Sequence, residues 1–188
     1  MKLVAVLLAA GGGSRFDGPG HKLRAVIDGC ELFERSLANV TAAAIGRVIV
    51  ITGAAELCVA PPVIERHNPD WMLGQAGSLQ VALAAAAELD AEFVVFGLAD
   101  QPGIHPSTWR AVADAAAEHL IVVASYDGRR GPHPVRLHRS LWPLLPATGD
   151  DGAKQLVRNH PALVHEVVGE GSAFDIDTLE DAQQWKSS

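Results

Sequence analysis

Leu7-Leu8-Ala9-Ala10-Gly11-Gly12-Gly13-Ser14-Arg15-Phe16, closed by Lys22, follows directly on an apolar run from Lys2 to Leu8. A short run of this kind ending in glycines reads as a buried strand feeding a turn. Three successive glycines let the backbone bend sharply and approach a ligand with no Cβ in the way. Exposed amides in such a turn form a nest for anionic oxygens, and Arg15 and Lys22 add formal positive charge. The stretch predicts a nucleotide-phosphate site at the end of the first strand of an α/β fold. The bland alternative is a glycine-rich turn that holds nothing.

Competing glycine motifs fit less well. A dinucleotide fingerprint needs G-x-G-x-x-G and an acidic residue about 20 positions on. Gly11 and Gly13 give the first spacing, but position 16 is Phe, and the next long strand ends in Thr52-Gly53-Ala54-Ala55 without that acid. A Walker loop needs Gly-Lys-Ser/Thr, which the chain does not contain. A nicotinamide-dependent oxidoreductase on the same scaffold, or a nucleotide-binding module without activity, stays open as an alternative.

Working outward, strand-like runs alternate with Ala-rich helical stretches, the pattern of a parallel sheet covered by helices on both faces. Expected strands are Lys2–Leu8, Arg47–Thr52, Val63–Arg66, Phe93–Gly97 and Leu120–Ser125. Helices are expected near Glu31–Ala44, Gly77–Leu89 and Pro106–Glu118. Tyr126 to Pro132 reads as a polar turn leading to Pro134-Val135-Arg136-Leu137. Short helices at Arg139–Leu145 and Asp151–Asn159, a strand near Leu163–Val168 and a helix from Leu179 would complete an accessory lobe on a single domain, residues 1–188.

With 188 residues, 48% of them hydrophobic, one domain can bury roughly 70% of its unfolded surface. A net charge of −7 argues against a nucleic-acid-binding face. Cys30 and Cys58 are too few for a disulfide scaffold. The first apolar run is too short to span a membrane and lacks a signal-peptide layout. A cytoplasmic protein with no membrane partner is expected.

The second informative stretch is Phe93-Val94-Val95-Phe96-Gly97-Leu98-Ala99-Asp100-Gln101-Pro102. Asp100 follows a nearly unbroken apolar strand, so it should project at the carboxyl edge of the sheet, where open α/β folds bind ligands. A carboxylate there suits Mg²⁺, which takes one or two protein oxygens plus waters and phosphates. A helix-capping turn Asp is the alternative. In Phe174-Asp175-Ile176-Asp177-Thr178-Leu179-Glu180-Asp181, alternation would put both aspartates on one face of an extended segment. Asp175 is the favoured second metal contact, and Thr178 with Asp181 resembles a helix start. Asn68 to Leu79, with Gly74, Gly77 and Ser78, could read a base edge or ribose, or could be no more than a capped loop. The eight histidines form no zinc-ligand spacing. His133, in Gly131-Pro132-His133-Pro134, either lines an acceptor pocket or sits on a surface loop.

Taken in order, these segments resemble the MobA-like NTP transferases, and most nearly the molybdenum cofactor cytidylyltransferases. The resemblance rests on Leu8-Ala9-Ala10-Gly11 through Phe16 with Lys22, Asn68-Pro69-x-Trp71 through Gly74, and Ser78-Leu79. It continues through Leu98 to Pro102, His133-Pro134-Val135, Gly149 to Lys154 and Asp175 to Asp181. It implies a Rossmann-like nucleotidyltransferase fold, with Mg²⁺ as cofactor and an NTP and a phosphorylated small molecule, molybdopterin, as substrates. A molybdoenzyme or chaperone would then be a protein partner.

Residue by residue, the resemblance implies that Leu8, Ala9, Ala10, Gly11, Gly12, Gly13, Ser14, Gly74, Ser78 and Leu79 bind the nucleotide. Arg15, Lys22 and Asp100 would be catalytic, Asp100 and Asp175 would hold metal, and His133, Asp150 and Asp177 would border the acceptor. Leu8-Ala9-Ala10-Gly11 is nearer the cytidylyl than the guanylyl branch, which has Leu-Ala-Gly-Gly. One departure is the inserted Asp17-Gly18-Pro19-Gly20-His21, which lengthens the path from Arg15 to Lys22. Leu179 also replaces a proline usual in the last motif.

Overall fold

The computed structural model describes residues 1–186. In chain order the elements are β1 (Leu3–Ala9), β2 (Val26–Ile27), β3 (Cys30–Glu31), α1 (Leu32–Ala43), β4 (Arg47–Thr52) and β5 (Ile64–His67). Then come α2 (Gln75–Glu88), β6 (Phe93–Leu98), α3 (Pro106–Asp114), β7 (Ile121–Tyr126), β8 (Arg129–His138), α4 (Lys154–Asn159), β9 (Val164–Val168) and α5 (Leu179–Lys186). Short 3-10 turns at Lys22–Arg24, Trp71–Leu73, Arg139–Leu144 and Pro161–Leu163 link them. Seven strands make one sheet in the order β5-β4-β1-β6-β8-β7-β9, and β2 pairs with β3 as a small hairpin.

Alternation along β1 assigns its side chains to two cores. Val4, Val6 and Leu8 face α2 and α4 through Leu79, Ala82, Leu83, Leu156 and Val157. Ala5, Leu7 and Ala9 face α1 and α3 through Leu32, Phe33, Trp109 and Val112. Period-two alternation with both sets apolar is what a central strand buried on both faces requires. The mostly parallel, helix-covered α/β sheet is therefore as expected.

The chain runs from β1 through β4 to β5 on one side and then returns to place β6 on the other side of β1. Sheet order reverses there, which leaves a crevice outside the carboxyl ends of β1 and β6. Leu8 pairs with Leu98 in register. The glycine turn and Asp100 thus leave the sheet side by side.

The structure corrects the reading of residues 126–137. They form no polar turn and no separate lobe but a hairpin inserted into the main sheet, with β8 antiparallel to both β6 and β7. The turn itself is only Asp127-Gly128, both at positive φ (50° and 72°), between the paired Tyr126 and Arg129. An Asp-Gly two-residue loop is a hairpin signal. Two prolines and three arginines between Arg129 and Arg136 masked the strand. Val123 faces Val135 while Ser125 faces Arg130, so β8 carries surplus residues around Gly131–Pro134. Pro132 and Pro134 have no N–H to pair and sit in that bulge. Helix α3 also ends earlier than expected, at Asp114 rather than Glu118.

Arg136, fully buried on β8, is what closes α3. Its guanidinium donates to the carbonyls of Ala113 (2.9 Å), Ala115 (2.5 Å), Ala116 (2.8 Å) and His119 (3.1 Å). It also lies over the Phe93 ring, 4.7 Å from its centre. Ala113 in the last turn and the C-cap Ala115 thus have their carbonyls met by a cation at the negative end of the dipole, and Ala116 and His119 pin the segment that leads on to β7.

Candidate active site

Beyond β1 the backbone turns at Gly13, where φ is +61° and the Phe16 amide donates to the Gly13 carbonyl (2.9 Å). A Cβ at Gly12 would stand 2.7 Å from the Trp71 ring, and one at Gly13 would stand 2.9 Å from Lys22 Cγ. These two glycines let an indole and a lysine stem lie directly on the turn. The turn forms one wall of a cleft of about 300 Å³. The cleft is lined by Leu8 through Arg15, Lys22, Trp71, Met72, Gly74, Gln75, Ser78, Leu98, Asp100, Asp150 and Asp177, among others.

At its floor four charges interlock. Lys22 Nζ lies 2.6 Å from Asp100 Oδ2 and 2.8 Å from Asp177 Oδ1, and Arg15 lies 2.9 Å from Asp177 Oδ2. The Lys22 side chain is 10% exposed and that of Arg15 75%. Burial pulls the Lys22 pKa down, but the Asp100 and Asp177 carboxylates outweigh it and hold the ammonium above its ordinary value. Asp100 Oδ1 is buried with no partner among the described residues.

The inserted loop does not keep Lys22 from this floor. His21 Nδ1 accepts from the Leu23 amide (3.2 Å), so its Nε2 carries the proton and donates to the Gly11 carbonyl (2.8 Å). His21 thereby caps the turn at Lys22–Arg24 and ties it to the glycine loop. Sequence reasoning missed His21; only its place next to Lys22 hinted at such a role.

The two aspartates after Phe174 diverge. Residues 173–177 form no strand, so alternation does not set their directions. Ile176 is fully buried and its amide donates to the Asp100 carbonyl (2.9 Å), which fixes Asp177 at the cleft. Asp175 Oδ1 instead accepts from Nε2 of the buried Gln101 (2.8 Å), and Asp175 does not line the cleft. Desolvation first, and then the Asp100 carboxylate, raise its pKa. Asp181 Oδ2 accepts from the Asp177 and Thr178 amides, and Thr178 Oγ1 accepts from the Asp181 amide, a reciprocal helix start for α5.

A second cavity of about 340 Å³ adjoins the first and shares Leu8 and Gln75 with it. Leu79, Phe96, Val123, Val135 and Val157 form its apolar wall, and Arg130, Lys154 and Arg158 stand among its polar residues. Leu79 and His133 therefore lie here, whereas Gly74, Ser78, Asp150 and Asp177 lie in the first cleft. The expected acceptor group His133, Asp150 and Asp177 is thus divided between the two cavities. His133 is 6% exposed, and its Nδ1 is buried without a partner among the described residues. Burial, and then Lys154, push its pKa down to about 3, so the ring is neutral. Ser78 Oγ accepts from Asn68 (3.0 Å) inside the molecule.

Among the described residues no set of three or more His, Cys, Asp or Glu side chains is placed to hold a metal ion. No helix among them is long and apolar enough to cross a membrane.

The sequence pattern of the MobA-like NTP transferase domain matches residues 5–165. The crystal structure of Rv0371c from Mycobacterium tuberculosis H37Rv superimposes with a TM-score of 0.84 at 27% identity, over 100% of this chain and 99% of that one. A second crystal structure of that protein, in complex with manganese, gives 0.84 at 26% identity, over 100% of both chains. Bifunctional protein GlmU of Rhizorhabdus wittichii is 32% identical over 166 residues, 86% of this chain; the chain spans only 35% of that protein's length. Purine catabolism protein PucB of Bacillus subtilis is 27% identical over 195 residues, 95% of this chain and 93% of that one.

Proposed function

The chain belongs to the MobA-like NTP transferase family, and from that premise we propose that it transfers a nucleoside monophosphate, CMP in preference to GMP, to a phosphorylated acceptor of the molybdopterin type, with Mg²⁺ and release of pyrophosphate. The observation that carries this reading is the pair of adjoining cavities meeting along Leu8 and Gln75. One is lined by the glycine turn, two cations and three carboxylates, Asp100, Asp150 and Asp177. The other offers an apolar wall and cations, a fit for a ring-bearing anion. The cytidylyl preference rests on Leu8-Ala9-Ala10-Gly11.

The donor set fits a hard divalent cation. Asp100 and Asp177 supply oxygens only, Asp100 Oδ1 is sealed and unsatisfied, and two carboxylates are what Mg²⁺ usually takes from protein beside phosphates and water. The manganese complex of the Mycobacterium tuberculosis relative accords with a divalent site in this family. In this reading Asp177 replaces Asp175 as the second ligand, because Gln101 engages Asp175. Such an ion, when bound, neutralises triphosphate charge and polarises the α-phosphoryl group.

The protein's own part is positioning and charge. Amides of Gly11 to Ser14 receive phosphate oxygens, and Arg15 and Lys22 neutralise the triphosphate. Trp71, its ring against Gly12, and Met72 also line this cleft. The acceptor's phosphate is already an anionic nucleophile. It attacks the α-phosphorus in line, the bond to the β-phosphate oxygen breaks, and pyrophosphate leaves with that electron pair, so no protein base is required. Lys154, Arg130 and Arg158 would draw the acceptor's phosphate in, and the neutral His133 would meet a polar group of its ring.

Incubating the purified protein with each NTP, Mg²⁺ and molybdopterin tests the proposal. Acceptor-dependent pyrophosphate release, greatest with CTP, is expected. Tight NADPH binding with no pyrophosphate from any NTP would overturn it.

A further inference from the structure

Lys22 fills the space between the two carboxylates that would hold a divalent ion. Its ammonium bridges one oxygen of Asp100 and one of Asp177, at 2.6 and 2.8 Å, and Arg15 takes the other oxygen of Asp177. Of the four carboxylate oxygens only Asp100 Oδ1 is left without a partner among the described residues. A single oxygen beside an ammonium is a poor site for a dication, since like charges repel at close range.

Resting on the nucleotidyltransferase reading, we infer that Lys22 is a resident counter-ion that bars free divalent metal from Asp100 and Asp177 until an incoming triphosphate draws its ammonium away. The Lys22 stem lies directly on Gly13. Its ammonium therefore stands within the cleft that the glycine turn also lines. A triphosphate on that turn offers it charged oxygens in place of the carboxylates. Arg15, three-quarters exposed, can make the same exchange from Asp177. Release of both cations leaves the two carboxylates in need of a positive partner, and the dication is that partner. Metal and nucleotide then each tighten the other's binding, as linkage requires. The cleft in this scheme takes up the metal–nucleotide pair and refuses the metal alone.

The test is a Mn²⁺ titration followed by the electron paramagnetic resonance of unbound Mn²⁺, with and without the inert donor α,β-methylene-CTP. Wild-type protein should bind Mn²⁺ weakly alone and about tenfold or more tightly with the analogue. Lys22→Met, with the bar removed, should bind Mn²⁺ alone about tenfold or more tightly than wild type. Lys22→Arg, which keeps the charge, should not. Adding Asp100→Asn to Lys22→Met should abolish the gain. Lys22→Gln still donates to the carboxylates and serves as the second variant should Lys22→Met fail to fold. If folded Lys22→Met or Lys22→Gln binds Mn²⁺ alone no better than wild type, the counter-ion role is wrong, even where the analogue still recruits Mn²⁺. If the analogue recruits no Mn²⁺ to wild type either, the transferase reading falls with it.

Discussion

Lys22 and Arg136 are both cations withdrawn from solvent, 8% and 0% exposed, yet they are held by opposite means. Arg136 spends its guanidinium on four backbone carbonyls at the end of α3 and on the face of Phe93. Those partners are rigid and sealed, and no ligand can compete for the charge. Lys22 is held by two carboxylates on different loops at the floor of an open cleft, with one carboxylate oxygen still unsatisfied. Its partners can be exchanged. A buried charge satisfied by backbone closes a fold, and one satisfied by two carboxylates at the floor of an open cleft is set to change partners.

Breaking the Arg136 side of this contrast should have the largest effect. Arg136→Ala strands four carbonyls and opens a hole beside Phe93, and should cost on the order of 3–5 kcal/mol in urea denaturation. Asp100→Ala acts on the other side. It should lower turnover by about 10²–10³-fold while changing stability by less than about 2 kcal/mol. Comparable loss of stability in both variants would erase the distinction.

His133 belongs to the second cavity and sharpens the contrast through pH. Its folded pKa is depressed to about 3, so the folded state favours the neutral ring. The unfolded chain binds the extra proton as pH falls below about 6.5, and stability is lost progressively from there toward pH 3. Thermal melts of His133→Gln between pH 7 and 4 should show a shallower acid decline than wild type. An unchanged slope would mean that the ring is not the buried neutral group described.

The smallest effect is expected at Asp175. Its folded pKa is raised, so the ionised carboxylate costs stability once pH exceeds that value, and the cost persists at neutrality. Asp175→Asn keeps an acceptor for Gln101 and removes the charge. A slight rise in Tm at pH 7 with metal-dependent nucleotide binding retained is expected. Loss of that binding would return the metal role to Asp175.

The glycine turn and the sheet-edge position of Asp100 were legible because strand burial and chain order alone place them. The strand β8 was not, because Pro132, Pro134 and the arginines contradict strand propensity; Asp127-Gly128 was the local signal that outweighed them. Asp175 and Asp177 could not be told apart by alternation, since their segment is not a strand and the buried Ile176 decides which of them meets the cleft. The role of His21 needed the fold, for its partner Gly11 becomes a neighbour only once the loop closes.

The most direct measurement is a calorimetric titration of CTP, GTP and NADPH into wild-type protein and Asp100→Ala, each with and without Mg²⁺. Mg²⁺-dependent binding of CTP ahead of GTP, lost in Asp100→Ala, is the predicted result. Metal-independent binding of NADPH, unchanged in Asp100→Ala, would contradict the assignment of this cleft to a metal-bound triphosphate.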